Sequence, residues 1–338
     1  MKAIVSGLGG WLPPEVVSNA HISSTLDTTP EWIETRTGIR ERRRVSDGLS
    51  TRDLAVKAGR QALKSAGDCK VDLVIVASTC PDRLCPSVAP EVAALLGLGG
   101  VAAYDINSAC SGFVYGLATA TGFIGSGVAE SVLLIGSETI SPFINPADRG
   151  TRPIFGDGAG AVVFRKGSEG DPGAIGPIDL GSDGSNSGLI VIPGGGARQR
   201  SATGLGHDAE ANEDWYVRMD GRATFVQAVS RMTQSAQTVL ARANWECADV
   251  DWFIGHQANI RILHGVANEL GLPLCKVASN IDRTGNTLAA SIPILLNDMA
   301  VSGKLKPGHR LLMGAFGAGL SWGSTVLVWP DIAVETIA

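Results

Sequence analysis

The sequence predicts a duplicated α/β fold with five layers, α/β/α/β/α. The order helix, apolar strand, helix rich in small residues, apolar strand occurs twice along the chain. Strands that are almost continuously apolar are typical of parallel-rich sheets covered by helices on both faces. A polar stretch rich in Gly and Pro near 165–175 separates the two occurrences. We therefore expect an N-terminal half over residues 1–170 and a C-terminal half over residues 171–338.

The elements of the first half follow from their apolar patterns. Residues 53–66 have the periodicity of a helix, and 71–78 (VDLVIVAS) predict a buried strand. Residues 107–127 predict a helix of small residues, followed by the strand 131–138. The second half repeats these elements at 225–243, 250–257, 286–303 and 310–317. Because both central helices are rich in small residues, we expect them to pack closely in the middle of the molecule.

Bulk composition excludes several classes of function. The 338 residues carry a net charge of −5, which argues against a nucleic-acid partner. The six cysteines have no CxxC spacing, so neither a zinc site nor a disulfide scaffold is predicted. No apolar stretch reaches the ~20 residues of a membrane span, and no signal peptide is recognisable. We expect a soluble cytoplasmic protein with no metal, no bound cofactor and no membrane partner.

Cys110 is the first candidate for chemistry, since it follows a predicted strand and opens the helix ACSGFVYGL. The positive end of a helix dipole lowers the pKa of a nearby thiol and favours the nucleophilic thiolate. The alternative is a buried structural cysteine.

His256 and Asn286 are the candidates in the second half. His256 ends the strand DWFIGHQAN, and α/β proteins place functional groups at the carboxyl ends of strands. Asn286 opens the second central helix, at the position that Cys110 occupies in the first half. If a pseudo-dyad relates the halves, Cys110 and Asn286 approach each other at its centre. The alternatives are a hydrogen-bonded core histidine and an asparagine that only caps its helix.

Two glycine-rich segments receive different interpretations. Gly317, Ala318 and Gly319 form a predicted turn whose backbone N–H groups can point at a developing oxyanion; an ordinary hairpin is the alternative. GDGAGA (156–161) matches a loose dinucleotide-binding pattern, but a strand follows it where that site needs a helix. We interpret GDGAGA as a turn between strands.

Six motifs in order along the chain resemble the β-ketoacyl-ACP synthase III family of the thiolase superfamily. They are EWIETRTGIRERR (31–43), DINSACSGF around Cys110, DRGTRPIFGDGAGAVV (148–163), GHQANIRI around His256, RTGNTLAAS around Asn286, and AFGAGLSWG (315–323). The resemblance implies a thiolase-like five-layered fold. It also implies an acyltransferase that joins an acyl-CoA primer to malonyl-ACP, or another malonyl thioester, by decarboxylative Claisen condensation.

The resemblance assigns a role to each site residue. It implies that Cys110 carries the acyl group, that His256 and Asn286 stabilise the enolate, and that the N–H groups of Cys110 and Ala318 hold the oxyanion. It further implies a coenzyme A site, with the entrance and the pantetheine arm formed by Trp32, Arg36, Arg149, Thr28, Gly221, Ala258 and Asn259. The basic run from Arg36 to Arg44 fits a phosphate-facing rim, with a solvated face as the alternative for Arg42 to Arg44.

Two departures from the family pattern keep other functions open. The middle residue of the C-terminal turn is Ala318 instead of Gly, and the helix after His256 carries Asn268 and Glu269 where basic residues are usual. Arg261 is kept for carrier-protein docking. One alternative is acyl transfer to an oxygen or nitrogen acceptor without a new carbon–carbon bond. The other is a catalytically silent scaffold subunit.

The resemblance also implies a homodimer in which the segment RLCPS (83–87) of one subunit closes the acyl tunnel of the other. A bulky aromatic residue in this segment resembles the members that accept only very short primers, whereas this chain has Cys85. We therefore expect room for butyryl to octanoyl primers, unless Leu189 or Ile190 fills the space.

Overall fold

A computed structural model of the protein describes residues 1–46, 48–67, 69–203 and 213–334. The strands in this part of the chain are β1 (Lys2–Trp11), β2 (Glu15–Ser18), β3 (Glu41–Arg44), β4 (Leu73–Ala77), β5 (Ala102–Ile106), β6 (Ser131–Glu138), β7 (Gly158–Gly167), β8 (Ile175–Ser182), β9 (Ile190–Val191), β10 (Arg218–Met219), β11 (Trp252–Gly255), β12 (Arg310–Gly317) and β13 (Ser321–Val328). The α-helices are α1 (Asn19–Ser23), α2 (Pro30–Thr37), α3 (Thr51–Ser65), α4 (Ala89–Leu95), α5 (Gly112–Ser126), α6 (Ala197–Thr203), α7 (Gly221–Ala243), α8 (Ile260–Leu270), α9 (Ile281–Thr284) and α10 (Ser291–Val301).

Two sheets with one shared topology form the framework. The first has the strand order β1-β7-β6-β4-β5, and the second has the order β8-β13-β12-β11 when read in the same direction. In each sheet, neighbouring strands among the first three are antiparallel, and the fourth strand pairs in parallel with the third. Where the first sheet adds β5, the second has only an isolated parallel bridge between Phe253 and Val277 within the described chain. The position 170/171 lies between β7 and β8.

The helices complete the five layers that the sequence predicts. α3 packs against β1, β6 and β7, and α7 packs against β8, β12 and β13. Between the sheets, α5 contacts strands of both, and α10 contacts β1, β7 and β11. The middle layer is closely packed: a Cβ atom at Gly136 on β6 would lie 2.4 Å from the Ala289 carbonyl oxygen, and one at Gly112 of α5 would lie 3.2 Å from Ala289 Cβ. No helix in the described ranges is long and apolar enough to cross a bilayer.

The structure of GDGAGA (156–161) differs from the turn that the sequence predicts. β7 begins at Gly158, so the last four residues open a buried central strand. The glycines are needed because α10 lies against this strand: a Cβ at Gly158 would come within 2.9 Å of the Ile294 side chain, and one at Gly160 within 2.6 Å of the Ile294 nitrogen.

Arg42 does not belong to a solvated face. Its side chain is fully buried and donates hydrogen bonds to Val17 O (3.0 Å), Asn19 Oδ1 (2.8 Å) and Pro153 O (2.6 Å). These bonds tie the β2–β3 ribbon to the loop before β7. Burial lowers the pKa of Arg42 to about 10, so the guanidinium stays charged at neutral pH. The expected solvated face, and the phosphate-facing rim, are therefore both wrong for this residue.

Candidate active site

One cavity of about 990 Å³ brings the three predicted catalytic residues together. Cys110, His256 and Asn286 all line it, and they come from three separate loops at the ends of buried elements. Much of the remaining wall is apolar, which suits a thioester substrate with an acyl chain. Lining residues that the sequence analysis did not single out include Asn107, Ile140, Phe143, Phe155, Val217 and Leu288.

Cys110 lies in a short 3₁₀ turn, Ala109–Ser111, directly before α5. The turn is sharp because Ala109 has a positive φ of 45°, and the N–H of Ala109 donates to Asn107 Oδ1 at 3.1 Å. This places Cys110 at the N-terminal end of α5, where the sequence positions it.

Burial, however, dominates the chemistry of the Cys110 thiol. It raises the pKa of Cys110 to about 12, and the nearby Glu138 carboxyl adds to the increase. The expected resting thiolate is therefore wrong, because with this pKa Cys110 is a neutral thiol at pH 7. Glu138 was not a sequence candidate. Burial raises the pKa of this carboxyl to about 7, while it accepts hydrogen bonds from Thr79 N–H (3.0 Å) and the Ser78 hydroxyl (3.2 Å).

The turn before α10 repeats the turn before α5. It is the 3₁₀ turn Leu288–Ala290, in which Leu288 has a positive φ of 47°. The N–H of Leu288 donates to Asn286 Oδ1 at 2.9 Å, as that of Ala109 does to Asn107. The two turns are also in contact with each other.

This repetition corrects the predicted correspondence between the halves. Asn286 matches Asn107, and the residue that matches Cys110 is Ala289, three positions later than expected. The two turns still meet between the sheets, so Cys110 and Asn286 reach the same cavity. Since Asn286 Oδ1 is occupied, its Nδ2 amide is the group left to donate to a substrate.

The backbone around Asn286 is held on both sides. Its N–H donates to Ile154 O at 2.9 Å, and its carbonyl accepts from Gly156 N–H at 3.0 Å. A Cβ at Gly285, where φ is +65°, would lie 2.8 Å from the same Ile154 oxygen. The glycine in TGN therefore allows the close approach that positions Asn286.

His256 follows β11 directly, and its N–H donates to Gly314 O on β12 at 2.8 Å. Its Nδ1 lies 2.7 Å from Ser291 Oγ, whereas its Nε2 is buried and has no hydrogen-bond partner among the described residues. Burial lowers the pKa of His256 to about 3, so the imidazole is neutral at physiological pH. A neutral ring nitrogen without a partner suits a hydrogen bond to substrate. His21, His264 and His309 do not line the cavity, and His207 lies outside the described residues.

The C-terminal glycine-rich turn joins β12 to β13 as a hairpin and lies against the nucleophile. A Cβ at Gly317 would come within 2.7 Å of the Cys110 nitrogen, so only glycine fits there. Ala318 lines the cavity, and the Ser321 hydroxyl donates to its carbonyl at 3.0 Å. The same hydroxyl lies 2.6 Å from Ser111 Oγ, which ties the hairpin to the Cys110 turn. The oxyanion role of the Cys110 and Ala318 N–H groups stays a prediction.

The predicted coenzyme A entrance is only partly assembled at the cavity. Trp32, Arg36 and Arg149 line it, and the two guanidinium groups lie 5.9 and 4.6 Å from the Trp32 ring centre. Three further predicted residues line the wall: Gly221, Ala258 and Asn259. Thr28, which was also predicted for this site, does not line the cavity; nor do Cys85 and Arg261, which were predicted for the partner's acyl tunnel and for carrier-protein docking.

Asn259 has a structural task as well. Its Oδ1 accepts from Arg261 N–H at 2.9 Å, and its Nδ2 donates to Arg36 O at 3.0 Å. It therefore caps α8 and holds that helix to α2.

Comparison with known proteins agrees with this geometry. Residues 104–184 match the family model of 3-oxoacyl-[acyl-carrier-protein] synthase III, and residues 240–329 match the model of its C-terminal region. The chain is 54% identical to β-ketoacyl-[acyl-carrier-protein] synthase III 5 of Streptomyces coelicolor over 97% of this chain and 98% of that protein. It is 47% identical to the synthase III of Pseudomonas aeruginosa, with 98% of this chain and 97% of that protein covered.

Solved structures give the same result. The crystal structure of 3-oxoacyl-(acyl carrier protein) synthase III from Pseudomonas aeruginosa superposes with a TM-score of 0.90 at 45% identity, covering 98% of this chain and all of that one. The priming β-ketosynthase of the R1128 polyketide pathway superposes with a TM-score of 0.88 at 33% identity, covering 98% and 97%. The chain therefore belongs to the 3-oxoacyl-[acyl-carrier-protein] synthase III family and is an acyltransferase of the β-ketoacyl synthase type.

Proposed function

We propose that Cys110 accepts an acyl group from an acyl-CoA primer and passes it to the enolate of a malonyl thioester, with malonyl-ACP as the preferred partner. The observation that carries this proposal is the meeting of Cys110, His256 and Asn286 in one largely apolar cavity. The proposed reaction needs no metal or redox cofactor, because loss of carbon dioxide itself generates the carbon nucleophile.

In the first half-reaction the Cys110 sulfur attacks the acyl thioester carbonyl. The carbon–sulfur bond to coenzyme A breaks, and the thiol proton of Cys110 leaves with the departing coenzyme A thiol. The N–H groups of Cys110 and Ala318 are suited to the tetrahedral oxyanion, because Gly317 allows their two turns to touch.

In the second half-reaction the malonyl thioester loses carbon dioxide and becomes an enolate. Its oxygen takes hydrogen bonds from His256 Nε2, which has no other described partner, and from Asn286 Nδ2, the amide group left when Oδ1 accepts from Leu288 N–H. The enolate carbon then attacks the acyl-cysteine, the carbon–sulfur bond to Cys110 breaks, and the released Cys110 thiolate takes a proton from solvent. The product is a β-ketoacyl thioester.

The mouth of the cavity suits a phosphate-bearing substrate. Arg36 and Arg149 stack on Trp32 there, and among the described residues the one ion-pair partner of Arg149 is Asp27, at 4.0 Å. For the carrier protein we propose the adjoining face of α7 and α8. There Val226 is 59% exposed and Arg222 and Arg261 are exposed, which offers one apolar contact and two cations.

We also propose a cytoplasmic homodimer. β5 ends the first sheet with an unpaired edge in the single chain, Leu84 is 74% exposed, and Cys85 is exposed beside it. A second copy would cover these groups and bring Cys85 to the acyl tunnel. All six cysteines are free thiols, which fits a reducing compartment.

The test uses the intact enzyme with a panel of acyl-CoAs, read by intact-protein mass spectrometry, followed by malonyl-ACP with labelled carboxyl carbon. We expect a mass gain of one acyl group and release of labelled carbon dioxide. Cys110→Ala should abolish the mass gain, and Cys247→Ala, a partly exposed thiol elsewhere, should not. Acyl transfer without carbon dioxide release would support an oxygen or nitrogen acceptor instead.

A further inference from the structure

Ser291 contacts the catalytic histidine from the side opposite the substrate. It is the first residue of α10, and its side chain is buried. Its hydroxyl has two partners in the described chain: His256 Nδ1 at 2.7 Å and the backbone N–H of Gln257 at 3.2 Å.

The direction of these two hydrogen bonds follows from what each group can do. A backbone N–H only donates, so the Gln257 bond ends on a lone pair of Ser291 Oγ. The Ser291 proton then has one described acceptor, His256 Nδ1. In the opposite arrangement two N–H groups would donate to Oγ, and the hydroxyl proton would be buried without an acceptor.

We infer that Ser291 is a positioning residue, which holds His256 in the tautomer that carries its proton on Nε2. The inference rests on the proposed function, in which His256 donates to the malonyl thioester carbonyl. The imidazole is neutral because burial lowers the pKa of His256 to about 3, so it has a single ring proton to place. With Nδ1 accepting from Ser291, that proton faces the cavity.

This tautomer separates two roles that a histidine beside a cysteine can have. Nε2–H can donate to an enolate oxygen, together with Asn286 Nδ2, but it cannot accept the proton of the Cys110 thiol. Ser291 should therefore matter for malonyl decarboxylation and much less for self-acylation.

The direct test is nitrogen NMR of the full-length enzyme labelled with ¹⁵N-histidine at pH 7, with His256→Gln used to assign the signals. We expect His256 Nδ1 to resonate as an unprotonated ring nitrogen and Nε2 as a protonated one. Ser291→Ala should reduce that difference, and Ser291→Thr, which keeps the hydroxyl, should preserve it. Ser235→Ala is the matched control, since it removes an equally buried hydroxyl that has no hydrogen-bond partner in the described part of the chain.

The kinetic arm measures both half-reactions of the same variants. Ser291→Ala should slow malonyl decarboxylation about tenfold or more, because a wrong tautomer lowers kcat by up to ~10⁴-fold in a Ser-His-Asp site. Its rate of self-acylation should change less than about threefold, and Ser291→Thr should restore decarboxylation.

A protonated Nδ1 in the wild-type enzyme, or an unchanged spectrum in Ser291→Ala, would overturn the inference whatever the activity. An Nε2–H signal in an enzyme that releases no carbon dioxide would support the role of Ser291 but contradict the proposed function. The two failures are therefore distinguishable.

Discussion

Cys110 and His256 are both buried, and burial acts on them in opposite directions. It raises the pKa of the thiol to about 12 and lowers that of the imidazole to about 3, because a low-dielectric site disfavours either charge. At pH 7 Cys110 is therefore a neutral thiol and His256 a neutral imidazole. The nucleophile must lose its proton during substrate attack, when the oxyanion donors and the leaving thiol are in place.

Alkylation of Cys110 should consequently depend steeply on pH. Below the pKa of a thiol, the thiolate fraction rises about tenfold per pH unit. We expect the rate of modification by iodoacetamide to rise in this way from pH 7 to pH 9 without a plateau. Peptide mass spectrometry of the modified site, with Cys110→Ala as the control for the other thiols, measures it. A plateau near neutral pH would show that the end of α5 stabilises the thiolate more than burial opposes it.

The two donors of the second half-reaction should be separable from the nucleophile. His256→Ala and Asn286→Ala should each slow malonyl decarboxylation about 100-fold or more, the usual cost of one lost oxyanion donor. Acyl-enzyme formation should fall far less, because neither side chain is assigned to that oxyanion. Labelled carbon dioxide release and intact-protein mass report the two steps. Equal losses in both would contradict this division of roles.

At the scale of elements, the repeated 3₁₀ turns explain how a duplicated fold forms an asymmetric site. Two residues before each turn stands an asparagine whose Oδ1 accepts the N–H of the turn's first residue, and that first residue has a positive φ. The second residue is Cys110 in the first turn and Ala289 in the second, so only the N-terminal half supplies the nucleophile. The other supplies Asn286 as a donor.

Arg42 joins elements from different parts of the first half, and its loss should destabilise the protein. Arg42→Met keeps much of the side-chain volume but leaves the acceptors on Val17, Asn19 and Pro153 without their donor. We expect the free energy of unfolding to fall by about 3 kcal/mol or more. Arg43→Met, which removes a 3.4 Å hydrogen bond to Pro13 O and a 3.8 Å ion pair to Glu41, should cost less than about 1 kcal/mol. Similar denaturation midpoints for both variants would contradict the structural role of Arg42.

For the whole molecule, we expect a homodimer at micromolar concentration. The exposed edge of β5 and the exposed Leu84 are costly in a single chain, because unpaired strand edges and apolar side chains favour association. Multi-angle light scattering should give twice the 35.0 kDa chain mass. Leu84→Asp should shift the protein toward monomer, with Leu274→Asp as a control at a comparably apolar, distant position. A monomeric wild-type protein would remove the prediction.

Primer choice also belongs to the whole molecule, because Cys85 does not line the cavity of its own chain. In a dimer, the small Cys85 side chain leaves space at the end of the partner's acyl tunnel, and each added methylene gains about 0.8 kcal/mol there. Butyryl- to octanoyl-CoA should therefore acylate Cys110 better than acetyl-CoA, and Cys85→Phe should reverse the order. Competition between acyl-CoAs, read by mass spectrometry, tests this. Preference for acetyl-CoA in both forms would show that other side chains fill the space.

The sequence by itself determined the duplicated five-layered fold and the family, because periodicity and motif order are properties of the chain. It also identified Cys110, His256 and Asn286, since each stands at the end of a predictable element. Only the tertiary structure decided that Cys110 rests as a thiol, because its pKa depends on burial and on Glu138, which is distant in sequence. The tertiary structure also decided which residues of the two halves correspond, because the hydrogen bonds of the two turns match Asn107 with Asn286 and Cys110 with Ala289. Arg42 shows the same limit: a run of arginines on a short strand looks solvated until the segment around Pro153, over 100 residues away, covers it.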